Sequence, residues 1–384
     1  MRRTVAIIGT RGYPSYYGGF ETAVRHLAPY LVEHGWNVDV YGRHGACKVD
    51  DPQRDPRVTS RITRGVETKS LSTLSYGLTA SVDALRRKPD VALVMNVANG
   101  FWLPMLRARG IPSLVNVDGI EWDRAKWGTT AKKMFKAGAR LTATHGTRLV
   151  FDAKEIGRRW QDDFGRDGVF IPYGGDEIAG QLPVEPGLTH RKYALMVARF
   201  VAENTVSEFV HAASQISRRH DVVIVGSSGY HSEFDERVDA LSRANRRVTW
   251  LGHLSSDQRL HSLWQHAGAY FHGHSVGGTN PALVQAMAAG APVLARDTVY
   301  NREVLAGSGM FVKPCPIEIT HSVLDLVGSP SKQEAMSQAA RKRAREHYSW
   351  SEVCRRYEES LAELADAGRR SVGRRVDPAL SVVE

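Results

Sequence analysis

The sequence predicts an α/β protein built of two doubly wound parallel-sheet domains. Three observations carry this expectation. Short β-branched runs alternate with helix-period segments from end to end, which is the signature of βαβ units. The runs fall into two series, and each series opens with its own strand. Between them, IPYGGDEIAGQLPVEPGLTHRK at residues 171–192 clusters Pro and Gly and loses hydrophobic periodicity. With 384 residues the chain has the length for two domains, each with its own core, and for a cleft between them.

The first series places strands at Thr4 to Ile8, Asn37 to Tyr41, Val91 to Val97, Ser113 to Val117 and Gly168 to Ile171. The second places them at Tyr193 to Ala198, Asp221 to Val225, Arg247 to Leu251, Ala269 to His272 and Pro292 to Ala295. The expected organisation is a first domain over 1–173, a linker over 174–192 and a second domain over 193–348. In SWSEVCRRYEESLAEL, Trp350, Val353, Tyr357, Leu361 and Leu364 make an apolar stripe, and Ser349 with Glu352 forms a capping box. That predicts a terminal amphipathic helix over 349–365. Residues 366–384, with Arg369, Arg370, Arg374 and Arg375 and no periodicity, are expected to be a mobile basic tail.

Composition narrows the classes. At 42% hydrophobic and 24% charged the chain is neither disordered nor fibrous. No run reaches the roughly 18 apolar residues of a membrane span, and MRRTVAIIGT is too short for a signal-peptide core, so a cytoplasmic location is expected. Cys47, Cys315 and Cys354 show no metal or disulfide spacing and are expected to be plain thiols. Lys plus Arg outnumber Asp plus Glu by 51 to 41, and the excess of +10 favours a polyanionic partner. No recognisable RNA- or DNA-binding module accompanies it, so nucleic acid is disfavoured. Phosphorylated substrates or an anionic membrane face remain.

Three stretches could carry chemistry. The first strand runs into IGTRGYPSYYGGFETAVRHL, where Gly18 and Gly19 precede a helix whose exposed amides suit a phosphate. The loop is not GxGxxG, which disfavours a nicotinamide enzyme. VDGIEWDRAKWG at residues 117–128 interleaves Asp118, Glu121, Arg124 and Lys126 with Trp122 and Trp127, a mixture suited to a sugar. FHGHSVGGTNPALVQAMAAGAPVLARD at residues 271–297 reads strand, Gly-Gly-Thr-Asn-Pro turn, then helix, so amides and helix dipole face any anion held there. Arg199 ends a strand and points into the same rim, because carboxyl ends of parallel strands share one edge. The plain alternative in each case is a turn or solvated loop without a ligand.

YGGFET, DGIEWDRAKW, VARFVAEN and GHSVGGTNPALVQAMAAG, in that order, resemble the GT-B glycosyltransferases of family 4, in particular the bacterial β-1,4-rhamnosyltransferase-like branch. The resemblance implies two Rossmann-like domains facing a cleft, with the acceptor on the first, the sugar nucleotide on the second and the terminal helix crossing back. It also implies transfer with retention of configuration and without a metal or other cofactor. The donor side would comprise Gly18, Gly19, Arg199, Asn204, His253, Leu254, Gly277, Gly278, Thr279, Asn280 and Gln285. Asp118, Glu121 and Arg199 would carry catalysis, and Arg11, Tyr16, Tyr17, Trp122 and Arg124 would meet the acceptor. Gln285 stands where the family usually has a glutamate that holds the ribose, Gly277 replaces its other glutamate, and Asp118 replaces its histidine. A neutral amide there favours a dTDP-sugar over a UDP-sugar, since deoxyribose presents one hydroxyl fewer. The expected activity is therefore rhamnose transfer from dTDP-rhamnose to a saccharide, lipid-linked by expectation, in cell-surface polysaccharide synthesis. UDP-N-acetylglucosamine or another UDP-sugar is the alternative donor, and a non-catalytic nucleotide-sugar binder is the alternative class. Arg124 to Arg140, with Lys126, Lys132, Lys133 and Lys136 beside Trp127, Met134 and Phe135, has the composition of a helix lying on anionic lipid.

Overall fold

The computed structural model describes residues 2–16, 18–48, 50–67, 72–124, 127–229 and 232–373. It divides into two compact units, one of Met1–Ile171 with the chain from Val353 onward, the other of Pro172–Glu352.

The first unit runs β1 (Thr4–Ile8), α1 (Gly19–Glu33), β2 (Asn37–Arg43), β3 (Thr59–Thr63), α2 (Ser72–Arg87), β4 (Val91–Met95), α3 (Leu103–Ala108), β5 (Ser113–Asn116), α4 (Thr129–His145), β6 (Arg148–Phe151), α5 (Lys154–Phe164) and β7 (Val169–Phe170). Its seven strands lie in the order β3-β2-β1-β4-β5-β6-β7, all parallel. The order reverses between β1 and β4, which is where open α/β sheets take ligands. VALVM of β4 is buried at every position, as a central parallel strand covered on both faces must be. The strand stops at Met95 rather than at Val97, because Asn96 turns to φ +73° and a 3-10 turn follows over Val97–Trp102.

The second unit runs β8 (Tyr193–Val197), α6 (Val206–Ile216), β9 (Asp221–Val225), α7 (Glu233–Ala244), β10 (Val248–Trp250), α8 (Asp257–His266), β11 (Ala269–His272), α9 (Pro281–Ala289), β12 (Val293–Arg296), α10 (Val299–Leu305), β13 (Met310–Val312), α11 (Pro316–Val327) and α12 (Pro330–His347). Its six parallel strands lie in the order β10-β9-β8-β11-β12-β13, with the reversal between β8 and β11. Two apolar layers flank the sheet. One centres on Phe209, Phe271 and Ile319, the other on Tyr270, Leu283 and Met287. Segment 174–192 does not hang free as a linker but lies bonded along this unit. Leu182 N donates to Gln265 Oε1 at 2.7 Å, and the Arg191 guanidinium reaches Ala267 O, Gly290 O and Ser337 Oγ. Burial pushes Arg191 down to about 10, with Arg341 nearby adding to the shift.

The terminal helix α13 (Trp350–Gly373) starts where its serine cap predicts, with Glu352 N donating to Ser349 Oγ at 3.4 Å. It runs past 365, which corrects the expected tail. Residues 366–373 are helical, and within the first unit Asp366 takes a two-pronged bond from Arg3 while Arg369 grips Asp90 at 2.8 and 3.1 Å. Farther up the same helix, Glu358 accepts from Trp36 and Glu363 from Arg148. Residues 374–384, with Arg374 and Arg375, lie outside the described residues.

Candidate functional site

In the first unit the carboxyl ends of β1, β2, β4 and β5 form one rim. Gly9 leaves β1 at φ +96°, where an added Cβ would lie 2.3 Å from the Met95 carbonyl oxygen, so only glycine fits the turn. The expected phosphate glycines behave differently. Gly18 is extended at φ −168° and Gly19 already opens α1, so neither supplies a left-handed turn, and Gly9 and Gly12 do so instead. Glu21, buried in the first turn of α1, accepts the Arg11 amide at 2.9 Å and fixes the loop against the helix.

Asp118 sits two residues beyond β5 at φ +62°, half-buried, and Asn96 sits one residue beyond β4 at φ +73°. Asn96 Nδ2 donates to Asp118 Oδ2 at 3.3 Å, so two left-handed residues at adjacent strand ends hold each other. Such positions cost about 1–3 kcal/mol each and persist where the surroundings over-determine them. Here they do: Asn116 Oδ1 accepts the Asp118 amide at 2.9 Å, and Asn116 Nδ2 donates to the Tyr357 hydroxyl of α13 at 2.7 Å. Burial raises the Tyr357 phenol, which stays protonated. Sequence reasoning passed over Asn96, Asn116 and Tyr357. The signal available was an asparagine at the end of both VALVMN and SLVN.

The rest of the DGIEWDRAKW motif is structural. Glu121 is 3% exposed, and its two oxygens receive Arg124 Nη1 and Trp127 Nε1, each at 2.6 Å. That removes Glu121 from the three expected catalytic residues and Arg124 from the expected acceptor contacts, since their charges are spent on each other. Trp122 is no stacking platform either. It is buried, and Trp160 and Phe164 pack edge-on against it. The Tyr16 ring carries two cations, Arg25 and Lys48, at 4.0 and 4.8 Å from its centroid, so it is already engaged in cation–π contacts. Tyr17 and Lys126 lie outside the described residues.

In the second unit the ends of β8 and β11 are neighbours, with Met196 in register with Phe271. Arg199, two residues beyond β8, is exposed, and among the described residues its side chain has no hydrogen bond or ion pair. Past β11 the turn holds Gly277 at φ +97°, then Gly278, buried Thr279 and Asn280, whose Oδ1 caps the Ala282 amide of α9 at 3.0 Å. Among the described residues the amides of Gly277 and Gly278 bond nothing in the chain. An exposed arginine and open amides at a helix N-terminus thus share one rim, which is the arrangement an anion requires. His253, exposed, and Leu254, half-buried, follow β10, which β9 separates from β8. Beneath the turn His272 is fully buried, its ring 4.4 Å from that of His274, and burial holds its pKa well below the ordinary range, so it is neutral.

Two donor assignments need correction. Gln285 does not face an open pocket. Its Oε1 accepts the Asp176 amide at 2.8 Å and its Nε2 donates to the Asp176 carbonyl at 3.3 Å, clamping segment 174–192 to α9. Asn204, 3% exposed, turns its amide onto the Arg199 carbonyl at 2.9 Å and shapes the loop rather than lining it. Among the described residues no group of three His, Cys, Asp or Glu side chains could hold a metal ion, and no helix is long and apolar enough to cross a membrane.

Comparison with known proteins follows the division into units. Residues 18–174 match the glycosyl transferase 4-like domain, and residues 183–343 match glycosyl transferases group 1. No curated protein matches the chain. Among solved structures, sucrose-phosphate synthase from Thermosynechococcus elongatus is 19% identical over 95% of this chain and 100% of its own, with a TM-score of 0.78. HepE of Anabaena, in complex with UDP-glucose, is 13% identical over 94% and 100%, with a TM-score of 0.72. WaaG, a glycosyltransferase involved in lipopolysaccharide biosynthesis, is 14% identical over 93% and 99%, also at 0.72. These structures share the fold, two Rossmann-like parallel-sheet domains of the GT-B type. With a glycosyl transferase 4-like domain in one half and a group 1 domain in the other, the chain is a GT-B glycosyltransferase.

Proposed function

We propose that the protein moves a sugar from a nucleoside diphosphate sugar to a saccharide acceptor, with retention of configuration and without a metal, and that its donor is dTDP-rhamnose. The observation that carries the donor site is the pairing of exposed Arg199 with the open Gly277 and Gly278 amides on the β8 and β11 rim. Breaking the sugar–phosphate bond builds negative charge on the departing phosphate, and a positioned guanidinium and fixed amides stabilise that charge without reorganising. Asp118, half-buried and over-determined in position, is the group suited to accept the proton of the attacking hydroxyl, whereas Glu121 is enclosed. Attack from the face of the departing phosphate, whose oxygen can help deprotonate the acceptor, accounts for retention.

The nucleotide reading rests on position 285. Gln285 is engaged with backbone and brings no carboxylate to a 2′-hydroxyl, so deoxyribose loses nothing there. HepE is solved with UDP-glucose, which makes a UDP-sugar the second reading. WaaG's part in lipopolysaccharide biosynthesis supports a lipid-linked saccharide acceptor. So does α4, which carries exposed Lys133, Lys136 and Arg140 beside half-buried Lys132, a cationic face suited to an anionic bilayer on the inner membrane surface.

The test is calorimetric binding and transfer with dTDP-rhamnose, UDP-N-acetylglucosamine and UDP-glucose, on wild type and Arg199→Ala. The expected result is tightest binding of dTDP-rhamnose and a loss of turnover on the order of 100-fold in the variant. A clear UDP preference would overturn the donor reading. Binding without transfer to any glycolipid would favour the non-catalytic class.

A further inference from the structure

We propose that Arg43 is the receptor for an oxyanion, one oxygen of a phosphate or carboxylate, carried by the molecule that accepts the sugar. The inference rests on the reading of the first unit as the acceptor side. Arg43 ends β2, on the same rim as Gly9, Asn96 and Asp118, and its side chain is 10% exposed. Among the described residues its guanidinium makes no hydrogen bond, and its Nε is fully buried without a partner. Arg61 offers a contrast, because its Nε is also orphaned but its Nη2 lies 2.9 Å from Asp39. For Arg43 the nearest carboxylate, Glu67, stands 3.9 Å away and is 63% exposed, a pair that water screens to little. The Tyr76 ring, 5.0 Å from the guanidinium carbon, supplies the remaining support.

A nearly buried guanidinium whose Nε has no partner carries a desolvation cost, and folded chains tolerate that where a ligand completes the set. The backbone makes the arrangement worse rather than better for the empty protein. Gly12 and Gly42 pack so closely that a Cβ on Gly42 would lie 2.7 Å from the Gly12 Cα, and this lets the Arg43 amide bond the Arg11 carbonyl at 3.0 Å. Two arginines are thereby held side by side. Burial first, and then Arg11, lowers the Arg43 pKa, the direction that an arriving anion reverses. Arg43 lines a cavity of about 10 Å³ with Thr10, Thr63, Thr73 and Tyr76. That is room for one water-sized group, so the site suits a single oxyanion oxygen and not a sugar ring.

The experiment uses the full chain saturated with dTDP or UDP, which occupies the donor side, and titrates it with inorganic pyrophosphate, inorganic phosphate, glucuronate and glucose. At least one oxyanion is expected to bind while glucose does not, the phosphates and glucuronate telling the two oxyanion sources apart. Arg43→Met should weaken that binding about tenfold or more, with nucleotide affinity unchanged, and Arg43→Lys should fall between, having charge without the fork. Because the buried cation lacks partners, Arg43→Met should keep or raise the Tm. Failure of every oxyanion to bind, unchanged binding in Arg43→Met, or displacement of the oxyanion by the nucleotide overturns the proposal. So does a Tm loss above about 5 °C or failure of Arg43→Met to fold, because that would make the cation structural. If neither nucleotide binds wild type, the transferase reading fails, while the oxyanion titrations on the nucleotide-free chain still decide the role of Arg43.

Discussion

The hydroxyl of Tyr357, on the terminal helix, receives a 2.7 Å hydrogen bond from Asn116 at the end of β5. The same asparagine holds the amide of Asp118, whose carboxylate in turn meets Asn96. A residue near the end of the chain is thus linked in two steps to the proposed proton acceptor, and it acts by positioning.

Tyr357→Phe should therefore cost about 1 kcal/mol of stability, the value of one buried hydrogen bond with its partner left unpaired. Turnover should fall more than that loss explains, while the KM for donor stays constant, because Asp118 loses its anchor. Thermal unfolding and steady-state kinetics on one preparation check this. Equal turnover in the two proteins would show that Asn116 holds Asp118 unaided.

Asp118→Gly separates strain from chemistry. Glycine adopts φ +62° without the Cβ penalty, so the variant should match wild type in unfolding free energy or exceed it by up to about 1 kcal/mol. Turnover should drop by about 100-fold or more from loss of the general base, and Asp118→Asn should drop equally. A Gly variant that retains turnover removes Asp118 from the mechanism.

Gln285→Glu should destabilise by about 1–3 kcal/mol, since a carboxylate cannot donate to the Asp176 carbonyl and meets it with like polarity. The bond from the Asp176 amide can survive. Any gain for UDP-sugars over dTDP-sugars in this variant must then accompany loosening of segment 174–192. Denaturant unfolding together with nucleotide calorimetry reads both effects, and an unchanged midpoint would show that the clamp contributes nothing.

Asp90 gives the acid limb. Burial alone would raise its carboxyl, but Arg369 and the Thr4 amide outweigh burial and hold it below the ordinary range. A depressed carboxylate stabilises the fold fully above its unfolded pKa of about 4, and that contribution is lost as pH falls through the folded value. Asp90→Asn should therefore lower Tm at pH 7, and the gap from wild type should close below about pH 4. A gap that persists undiminished in acid would assign the effect to the shape of the side chain rather than its charge.

How much of this was legible differs by element. The strands at Thr4–Ile8, Asp221–Val225 and Ala269–His272 appear where the sequence places them, and those at Asn37 and Tyr193 begin there, because runs such as TVAII and DVVIV carry their periodicity locally. Three strands were not anticipated. TSRIT of β3 is half-exposed at a sheet edge, so its composition is polar, while β6 and β13 have four and three residues and join the sheets by pairing with β5 and β12. The chain from 366 to 373 reads as a tail because its helix is held by ion pairs to Arg3 and Asp90 rather than by an apolar stripe.

The sequence by itself determined the α/β class, the two parallel-sheet units, the Gly-Gly-Thr-Asn-Pro turn that opens α9 and the arginine at the end of β8. Each depends on contacts within one strand–turn–helix unit. Only the tertiary structure decided which polar side chains are available to a ligand. Glu121, Gln285 and Asn204 are the residue types that bind sugars, yet all three are spent inside the protein, while Asn96, Asn116 and Tyr357 acquire their connection to Asp118 from three separate elements. A hydrogen bond is short-ranged and directional, so whether a side chain is free is set by partners far away in the chain, and local pattern does not encode them.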